Sequence, residues 1–318
     1  MTGTRQTPAR VPAATGARHT LDKATAENFP VAPFFLPRAS RDHIMALYGY
    51  ARLVDDIGDG DLAPGGADAR WLGVDEARAE DRTVLLDAFE ADLRRVFGLP
   101  AAGDPEGGPG EPRHPLLRAL APTVRARSLT IEPFLALIEA NRRDQEVRRY
   151  ETYEELLAYC ELSANPVGNL VLQVSGAMSP ERLRRSDAVC TALQIIEHLQ
   201  DVSEDLAAGR VYLPAEDLRR FHVGETDLTA PTGNASVRAL VAYQADRARG
   251  LLDEGAPLVG SVHGRLRLLL AGFVGGGYAA LAAIRSAGYD VLPGPPRPAR
   301  TRVLREAAAV LRRAREER

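Results

Sequence analysis

The sequence predicts an all-α protein, and three of its features support that prediction. Apolar residues recur at the spacing of a helix, for example at Val84, Leu85, Phe89, Leu93 and Val96. The alternation of apolar and polar residues that marks a half-buried strand is scarce. Thr152 and Glu155 form the pattern of a capping box in front of an apolar run. We expect roughly ten helices of ordinary length along the chain.

The amino-acid composition is that of a globular protein and argues against some functional classes. The 318 residues are 45% hydrophobic and 26% charged, and the formal net charge is −3. These are ordinary values for a globular protein, and the lack of a basic excess argues against a dedicated nucleic-acid binder. The two cysteines, Cys160 and Cys190, provide no disulfide framework. We therefore expect a cytoplasmic protein that has no nucleic-acid partner.

Three segments are predicted along the chain. Residues 1–20 carry no apolar block and are expected to form a disordered tail, not a secretory signal. Residues 21–292 are expected to form one domain, and residues 293–318 a proline-rich linker with an arginine-rich helix. The apolar runs at residues 162–180 and 268–284 are interrupted by polar residues or glycines. Each run is therefore interpreted as a buried core helix and not as a membrane span.

A first acidic stripe lies between residues 48 and 59. Offsets of four, three and four residues place four side chains on one face of a helix: Tyr48, Arg52, Asp55 and Asp59. Two carboxylates one turn apart repel each other and destabilise an isolated helix by roughly a few tenths of a kcal/mol. A bound cation would remove that repulsion.

A second stripe repeats these offsets at Gln194, His198, Asp201 and Asp205, with Glu197 at its edge. Hard cations prefer oxygen ligands, and Mg²⁺ is typically held by one or two carboxylates together with substrate phosphates. Two such helices facing each other would suit a magnesium–diphosphate site. The predicted metal ligands are Asp55, Asp59, Glu197, Asp201 and Asp205.

A solvated acidic face is the alternative interpretation of each stripe. The flanking residues argue against it, because Ile44 and Leu47 precede the first stripe, and Leu193 and Ile196 lie within the second. Apolar neighbours of this kind place the carboxylates on half-buried helices, where uncompensated charge is costly. The presence of two matching stripes favours the metal site.

Several motifs occur in an order that resembles the squalene/phytoene synthase family. They are the opening at residues 27–32, the triplet at 36–38, the first stripe, residues 159–168, the second stripe and residues 209–214. The similarity extends over about residues 27–292. It implies a single-domain isoprenoid synthase fold, in which helices surround a central apolar cavity and two aspartate-rich helices face each other.

Within the family, the chain is most similar to the bacterial branch that converts presqualene diphosphate to hydroxysqualene, in squalene and hopanoid biosynthesis. The similarity rests on residues 27–30, on residues 163–168 and on Gln200 before Asp201. It implies Mg²⁺-assisted loss of diphosphate and capture of the carbocation by water, without a reductant. One alternative is a head-to-head prenyltransferase, a presqualene diphosphate or phytoene synthase. Another is a silent lipid-binding protein, against which the four retained aspartates argue.

The resemblance also implies roles for individual side chains. The residues expected to act in catalysis are Tyr48, Arg52, Tyr159, Asn165 and Gln194. The two tyrosines are expected at the mouth and wall of the cavity. Asn165, next to Pro166, is expected either to position the attacking water or to cap a kinked helix. The residues expected to bind the diphosphate are Arg52, Arg210 and Tyr212.

Two positions depart from the family pattern. Glu197 stands where asparagine is usual, which adds a negative charge to the predicted metal site. Asn169 stands where an arginine is common, so a diphosphate contact expected of that arginine either comes from elsewhere or the pocket is changed.

The arginine-rich end of the chain has two interpretations. Leu304, Ala308 and Leu311 recur at helical spacing among arginines. The helix either rests peripherally on the inner face of an anionic membrane or is a solvated terminal helix.

The other expected partners are the prenyl diphosphate substrate, presqualene or farnesyl diphosphate, and two enzymes linked by the reaction sequence. One of these is an upstream condensing enzyme and the other reduces hydroxysqualene downstream.

Overall fold

A computed structural model describes residues 15–25, 35–100 and 110–316 of the chain. Within those ranges the regular secondary structure is helical, apart from one isolated bridge between Arg149 and Val211. The prediction of an all-α protein is confirmed. Sixteen α-helices occur in the described ranges, more than the roughly ten expected from ordinary helix lengths. The difference arises because several of them are only one or two turns long.

The chain divides into two compact units, each built from two segments. Unit 1 comprises Met1–Glu27 and Met45–Ser128, and unit 2 comprises Asn28–Ile44 and Leu129–Arg318. The predicted boundaries of a single domain at residues 21–292 stay a prediction.

The helices of unit 1 are α1 (Thr15–Asp22), α2 (Arg38–Asp59) from Met45 onward, α3 (Ala67–Leu72), α4 (Arg82–Val96) and α5 (Pro115–Arg127). The apolar face predicted for residues 84–96 is confirmed, because Leu85, Phe89 and Leu93 are buried on α4. The ring of Phe89 stacks on that of Tyr50 in α2, with 5.3 Å between the ring centroids. This packing fixes the last turns of α2, which carry the first acidic stripe.

Helix α1 lies in the part of the chain where a disordered tail was expected. Residues 15–20 are helical, and Ala17 and Thr20 are buried. The Thr20 hydroxyl donates to the buried Asp56 carboxylate of α2 over 3.3 Å, so a polar contact orders a segment that has no apolar block. Residues 1–14, and the predicted opening motif at 27–32, lie outside the described residues.

Unit 2 holds the larger set of helices, and their core surrounds α9. The helices are α6 (Glu132–Glu146), α7 (Tyr153–Ser163), α8 (Asn165–Val174), α9 (Pro180–Gln200), α10 (Val202–Ala207), α11 (Ala215–Arg220), α12 (Glu225–Leu228), α13 (Ala235–Gly255), α14 (Leu258–Ser261), α15 (Gly264–Ser286) and α16 (Arg300–Glu316). Helix α9 packs against α8 on one side and α13 on another. Gly168 of α8 allows a close approach, because a Cβ there would collide with Ser186 and Cys190 of α9.

Two helix interruptions position the predicted site. Pro166 lies in the first turn of α8, and the helical run breaks at Ala164, between α7 and α8. The second stripe was expected on one continuous helix. Instead, α9 ends at Gln200 and α10 begins at Val202, with Asp201 capping both. The amide of Asp205 still donates to the Asp201 carbonyl over 2.8 Å, so the stripe continues through the break.

The long apolar helix α15 is a packed helix of unit 2. Its length and composition would allow it to cross a membrane, but 67% of its most apolar stretch is buried inside the protein. Helix α16 lies along it, and a Cβ at Gly275 would collide with the backbone of Ala307. Leu304 of α16 is exposed, and Leu311 is half-buried.

A half-buried carboxylate in α9 gives the unit a testable pH dependence. Burial, together with the nearby Glu161 of α7, raises the pKa of Asp187 from 3.8 to about 6. The neutral carboxyl therefore favours the folded state, and this contribution is lost as the pH rises through about 6. We expect Asp187→Asn to raise the stability by about 1 kcal/mol at neutral pH, after allowance for solvent screening.

Thermal melts at about pH 4 and about pH 7 test this expectation, because the gain should vanish at the lower pH. Asp246→Asn, at an exposed position on α13, is the matched control. An equal gain at both pH values, or the same gain in the control, contradicts the assignment.

Candidate functional site

The first acidic stripe lies on the last turns of α2, in unit 1. Asp55 and Asp59 are exposed, whereas Tyr48 and Arg52 are half-buried on the same helix. Helix α2 ends at Asp59 because Gly60 adopts a left-handed conformation, with φ of 73°. The stripe thus presents its carboxylates to solvent at the C-terminal end of a helix.

The aspartate next to the stripe has a different environment. Asp56 is fully buried and accepts hydrogen bonds from Lys23 Nζ at 2.9 Å and from Arg52 Nε at 2.8 Å. Burial alone would lower the pKa of Lys23, but its hydrogen bonds to Asp61 and Asp56 raise that pKa above the usual value. Arg52 therefore serves a buried carboxylate with its Nε. A contact with a diphosphate would have to be made by the other guanidinium nitrogens of Arg52, and it stays a prediction.

The second acidic stripe lies at the junction of α9 and α10, in unit 2. Glu197 is exposed, and Asp201 and Asp205 are half-buried. Burial raises the pKa of Asp201, and repulsion by Glu204 and Asp205 raises it further. This is the electrostatic environment in which a cation is favoured, because it compensates several negative charges at once.

His198 connects the second stripe to a group of aromatic side chains. Its ring stacks on that of Tyr212 with 3.7 Å between centroids, and its Nδ1 lies 3.9 Å from Asp205 Oδ2. Gln194, one turn earlier on α9, places its Nε2 3.3 Å from His198 Nε2. The structure thus brings together Gln194, Asp205 and Tyr212, three of the predicted site residues, around a histidine.

The rings of Tyr150, Tyr159, Tyr212 and His198 form a contiguous surface, here called the aromatic wall. The centroids of the three tyrosine rings lie 5.4 to 5.8 Å from one another. Burial is the main cause that raises the pKa of Tyr159 well above its usual value, so its hydroxyl stays protonated. All three tyrosines are buried, and the π faces of such rings carry the partial negative charge that attracts a cation.

Asp144 of α6 is the residue that sequence reasoning missed. Its carboxylate accepts hydrogen bonds from the Tyr159 hydroxyl at 2.7 Å and from the Tyr212 hydroxyl at 3.2 Å. Burial raises the pKa of Asp144, an effect that the Tyr159 hydrogen bond and the charge of Arg210 oppose. His198 lies on the second stripe, but a lone histidine on a mostly apolar helix gives no sequence signal for a catalytic role.

Three further residues lie in unit 2, two of them predicted site residues. Arg210 belongs to the segment after α10, and its charge acts on Asp144 and Tyr212. Asn165 accepts a hydrogen bond from the Thr191 hydroxyl at 3.0 Å, so its carbonyl oxygen links α8 to α9. This contact favours the structural role of Asn165 over the positioning of water. Asn169, the departure from the family pattern, accepts from Gln173 Nε2 at 2.7 Å.

Each aspartate pair, taken by itself, fits a magnesium ion that shares its coordination with a substrate. No group of three or more histidine, cysteine or acidic side chains converges as a metal cage in the described ranges. Mg²⁺ does not need such a cage, because it typically takes one or two carboxylates and completes its shell with water and phosphate oxygens. Each pair of carboxylates is such a donor set.

The space beside the second stripe is small. It measures about 10 Å³, lies among His198, Asp205 and Tyr212, and has room for about one water molecule. The larger apolar cavity that a prenyl chain requires stays a prediction.

Sequence comparison identifies the relatives of the chain. The squalene/phytoene synthase model matches residues 22–308. The hydroxysqualene synthase of Rhodopseudomonas palustris is 34% identical over 237 residues, 74% of this chain and 71% of that protein. The corresponding enzyme of Zymomonas mobilis is 32% identical over 238 residues, with the same two coverages. The 15-cis-phytoene synthase of Synechococcus elongatus is 31% identical over 241 residues, 72% of this chain and 70% of that protein.

Solved structures give the same result for the fold. Squalene synthase HpnC from Alicyclobacillus acidocaldarius is 42% identical, with a TM-score of 0.70, over 86% of this chain and 93% of that one. A dehydrosqualene synthase in complex with ligand is 21% identical, with a TM-score of 0.76, over 95% of this chain and 97% of that one. The predicted isoprenoid synthase fold is confirmed.

The hydrogen bond between Tyr159 and Asp144 leads to a prediction about stability. Tyr159→Phe removes a donor from a largely buried carboxylate, and we expect a loss of about 2 kcal/mol at neutral pH. Tyr212→Phe should cost less, because its hydrogen bond to Asp144 is longer, at 3.2 Å. Thermal melts of both variants measure the two losses.

The same two substitutions in an Asp144→Asn background complete the test. The Tyr159→Phe loss should fall to about half there, because the acceptor is no longer charged. Equal losses in the two backgrounds would show that the hydroxyl contributes by packing and not through Asp144.

Proposed function

The chain belongs to the squalene/phytoene synthase family, and from that membership we propose that it converts presqualene diphosphate to hydroxysqualene with the aid of Mg²⁺. The family acts on prenyl diphosphates in isoprenoid biosynthesis, and the chain is therefore an enzyme of this family. The conversion of presqualene diphosphate to hydroxysqualene is supported by the two relatives named hydroxysqualene synthase, which are 32% and 34% identical.

The contact that carries the proposal is the stack of His198 on Tyr212, with 3.7 Å between centroids. Through this contact, carboxylates suited to a metal lie beside π faces suited to a carbocation. A reaction that begins with loss of diphosphate and passes through a cation needs both. A solvated acidic helix would need neither the aromatic wall nor the carboxylate of Asp144 behind it.

The two aspartate pairs act on the leaving group. Asp55 and Asp59 in unit 1, and Asp201 and Asp205 in unit 2, are the proposed Mg²⁺ ligands. Mg²⁺ held by these carboxylates would supply positive charge against the departing diphosphate. Arg210 contributes a fixed positive charge in unit 2. Its guanidinium can donate two hydrogen bonds to the oxygens of a phosphate.

The aromatic wall acts on the organic cation. Cleavage of the carbon–oxygen bond leaves an electron pair on diphosphate and a positive charge on carbon. The faces of Tyr159 and Tyr212 attract that charge, and the Asp144 carboxylate behind their hydroxyls strengthens the attraction. The cyclopropylcarbinyl cation rearranges with opening of its ring, and water then adds to the rearranged cation and loses one proton to solvent. The overall change is release of diphosphate, opening of the ring and gain of a hydroxyl.

The alternative function is a head-to-head prenyltransferase, which would join two prenyl diphosphates. The 31% identity to a 15-cis-phytoene synthase supports it. Gln200 favours the first proposal, because the condensing enzymes more often have arginine at this position. Its Nε2 donates to the Pro296 carbonyl and so holds the segment after α15.

We also propose a cytoplasmic location and a peripheral membrane contact.

Replacement of one carboxylate in either pair tests the metal assignment. We expect Asp55→Asn or Asp201→Asn to lower turnover by about three orders of magnitude, because a ligand that neutralises the leaving group is lost. The melting temperature should stay the same or rise slightly, since one of two repelling charges is removed. Steady-state assays and thermal melts give the two values.

The matched controls are Asp42→Asn on α2 and Asp246→Asn on α13, which remove an exposed carboxylate outside the stripes. Both should retain full turnover. Wild-type turnover in Asp55→Asn or Asp201→Asn would overturn the metal assignment.

Product analysis tests the choice of reaction. The purified protein is incubated with presqualene diphosphate in one tube and with farnesyl diphosphate alone in another, with and without Mg²⁺ and with no reductant. We expect hydroxysqualene in the first tube only, and only with Mg²⁺. Presqualene diphosphate accumulating in the second tube would assign the protein to the condensing branch. The absence of product from both would refute the proposed substrate.

A further inference from the structure

A second concave site lies on unit 2, among α13, α15 and α16. Its volume is about 90 Å³. We call it the arginine pocket, and the residues used below are Arg249 of α13, Tyr278 and Ala282 of α15, and Arg302, Glu306, Val310 and Arg313 of α16. None of these residues belongs to the acidic stripes or the aromatic wall.

The lining of the arginine pocket is strongly basic. Three arginines and one acidic residue, Glu306, are among the residues that line it. Helix α16 carries six arginines and two glutamates, in a chain whose net charge is −3. Positive charge is therefore concentrated on the one helix that forms most of the pocket.

The arginines of the pocket are only loosely paired. The Nε of Arg302 is buried and has no hydrogen-bond partner among the described residues, and the nearest Glu306 oxygen is 3.7 Å away. Arg249 lies 3.7 Å from Asp253. By contrast, Arg185 contacts Glu181 at 2.6 Å elsewhere in unit 2. The Arg302 side chain as a whole is 41% exposed, so its other guanidinium nitrogens are accessible to an anion.

Part of the pocket lining is apolar and well supported. Ala282 and Val310 line it together with the ring of Tyr278, whose hydroxyl donates to Asp253 at 2.6 Å. The close approach of Gly275 to Ala307 fixes α16 against α15. Apolar groups in the lining lower the local polarity, which strengthens a charge–charge interaction within the pocket.

We propose that the arginine pocket binds a phosphate group. Guanidinium groups match phosphate oxygens with paired hydrogen bonds, and three of them here converge on one cavity. Glu306 is an internal competitor that shares Arg302 with the ligand. The phosphate comes either from a free anion or from the headgroup of an anionic phospholipid, and both present the same oxygens.

Two binding measurements on the full chain test the proposal and separate the two sources. Calorimetry with inorganic phosphate, in buffer containing EDTA, reports a free anion. Co-sedimentation with phosphatidylcholine vesicles that contain phosphatidylglycerol reports a headgroup. We expect Arg313→Gln to weaken binding about tenfold in whichever assay responds, because it removes charged hydrogen bonds. Glu306→Gln should strengthen binding severalfold, which a misfolded variant would not do.

Arg312→Gln is the matched control, because it removes the same charge from an exposed position of α16 outside the pocket. It should bind as the wild type does. Equal losses in Arg312→Gln and Arg313→Gln would show general surface attraction and overturn the proposal. So would unchanged binding in both Arg313→Gln and Glu306→Gln, or a wild-type protein that binds neither probe.

Discussion

A largely buried carboxylate requires hydrogen-bond donors, and Asp144 obtains them from the hydroxyls of Tyr159 and Tyr212. These tyrosines come from α7 and from the segment after α10, so one carboxylate joins three parts of unit 2. Tyr212 in turn carries the ring of His198, which lies against Asp205. The placement of the second acidic stripe beside the aromatic wall therefore depends on one buried charge.

Unit 1 follows the same principle with different donors. Asp56 is fully buried, and Thr20, Lys23 and Arg52 donate to it. This cluster holds α1 against α2 and leaves the neighbouring Asp55 exposed. The two adjacent aspartates thus have separate roles. Asp56 is buried and pairs with Lys23 and Arg52, whereas Asp55 is exposed and accessible to a ligand.

The helices and both acidic stripes could be predicted from sequence, because they depend on spacing within a few residues. The apolar face of α4 and the break before Pro166 are examples. Asp144 could not be found this way. It lies in a polar stretch of α6 that resembles a solvated face, and its partners are 15 and 68 residues away. For Asp56 a signal did exist, because it shares a helix face with the buried Leu53.

The two aspartate pairs are unfavourable for different physical reasons, and a cation relieves both. Asp55 and Asp59 lie at the C-terminal end of α2, where the helix dipole opposes negative charge and the last turn holds no basic residue. Asp201 and Asp205 lie beside the first turn of α10, where the dipole is favourable. There the cost comes from burial and mutual repulsion, which raise the pKa of Asp201. The two electrostatic costs differ in origin but occur at matching offsets, and positive charge bound at each pair would relieve the cost there.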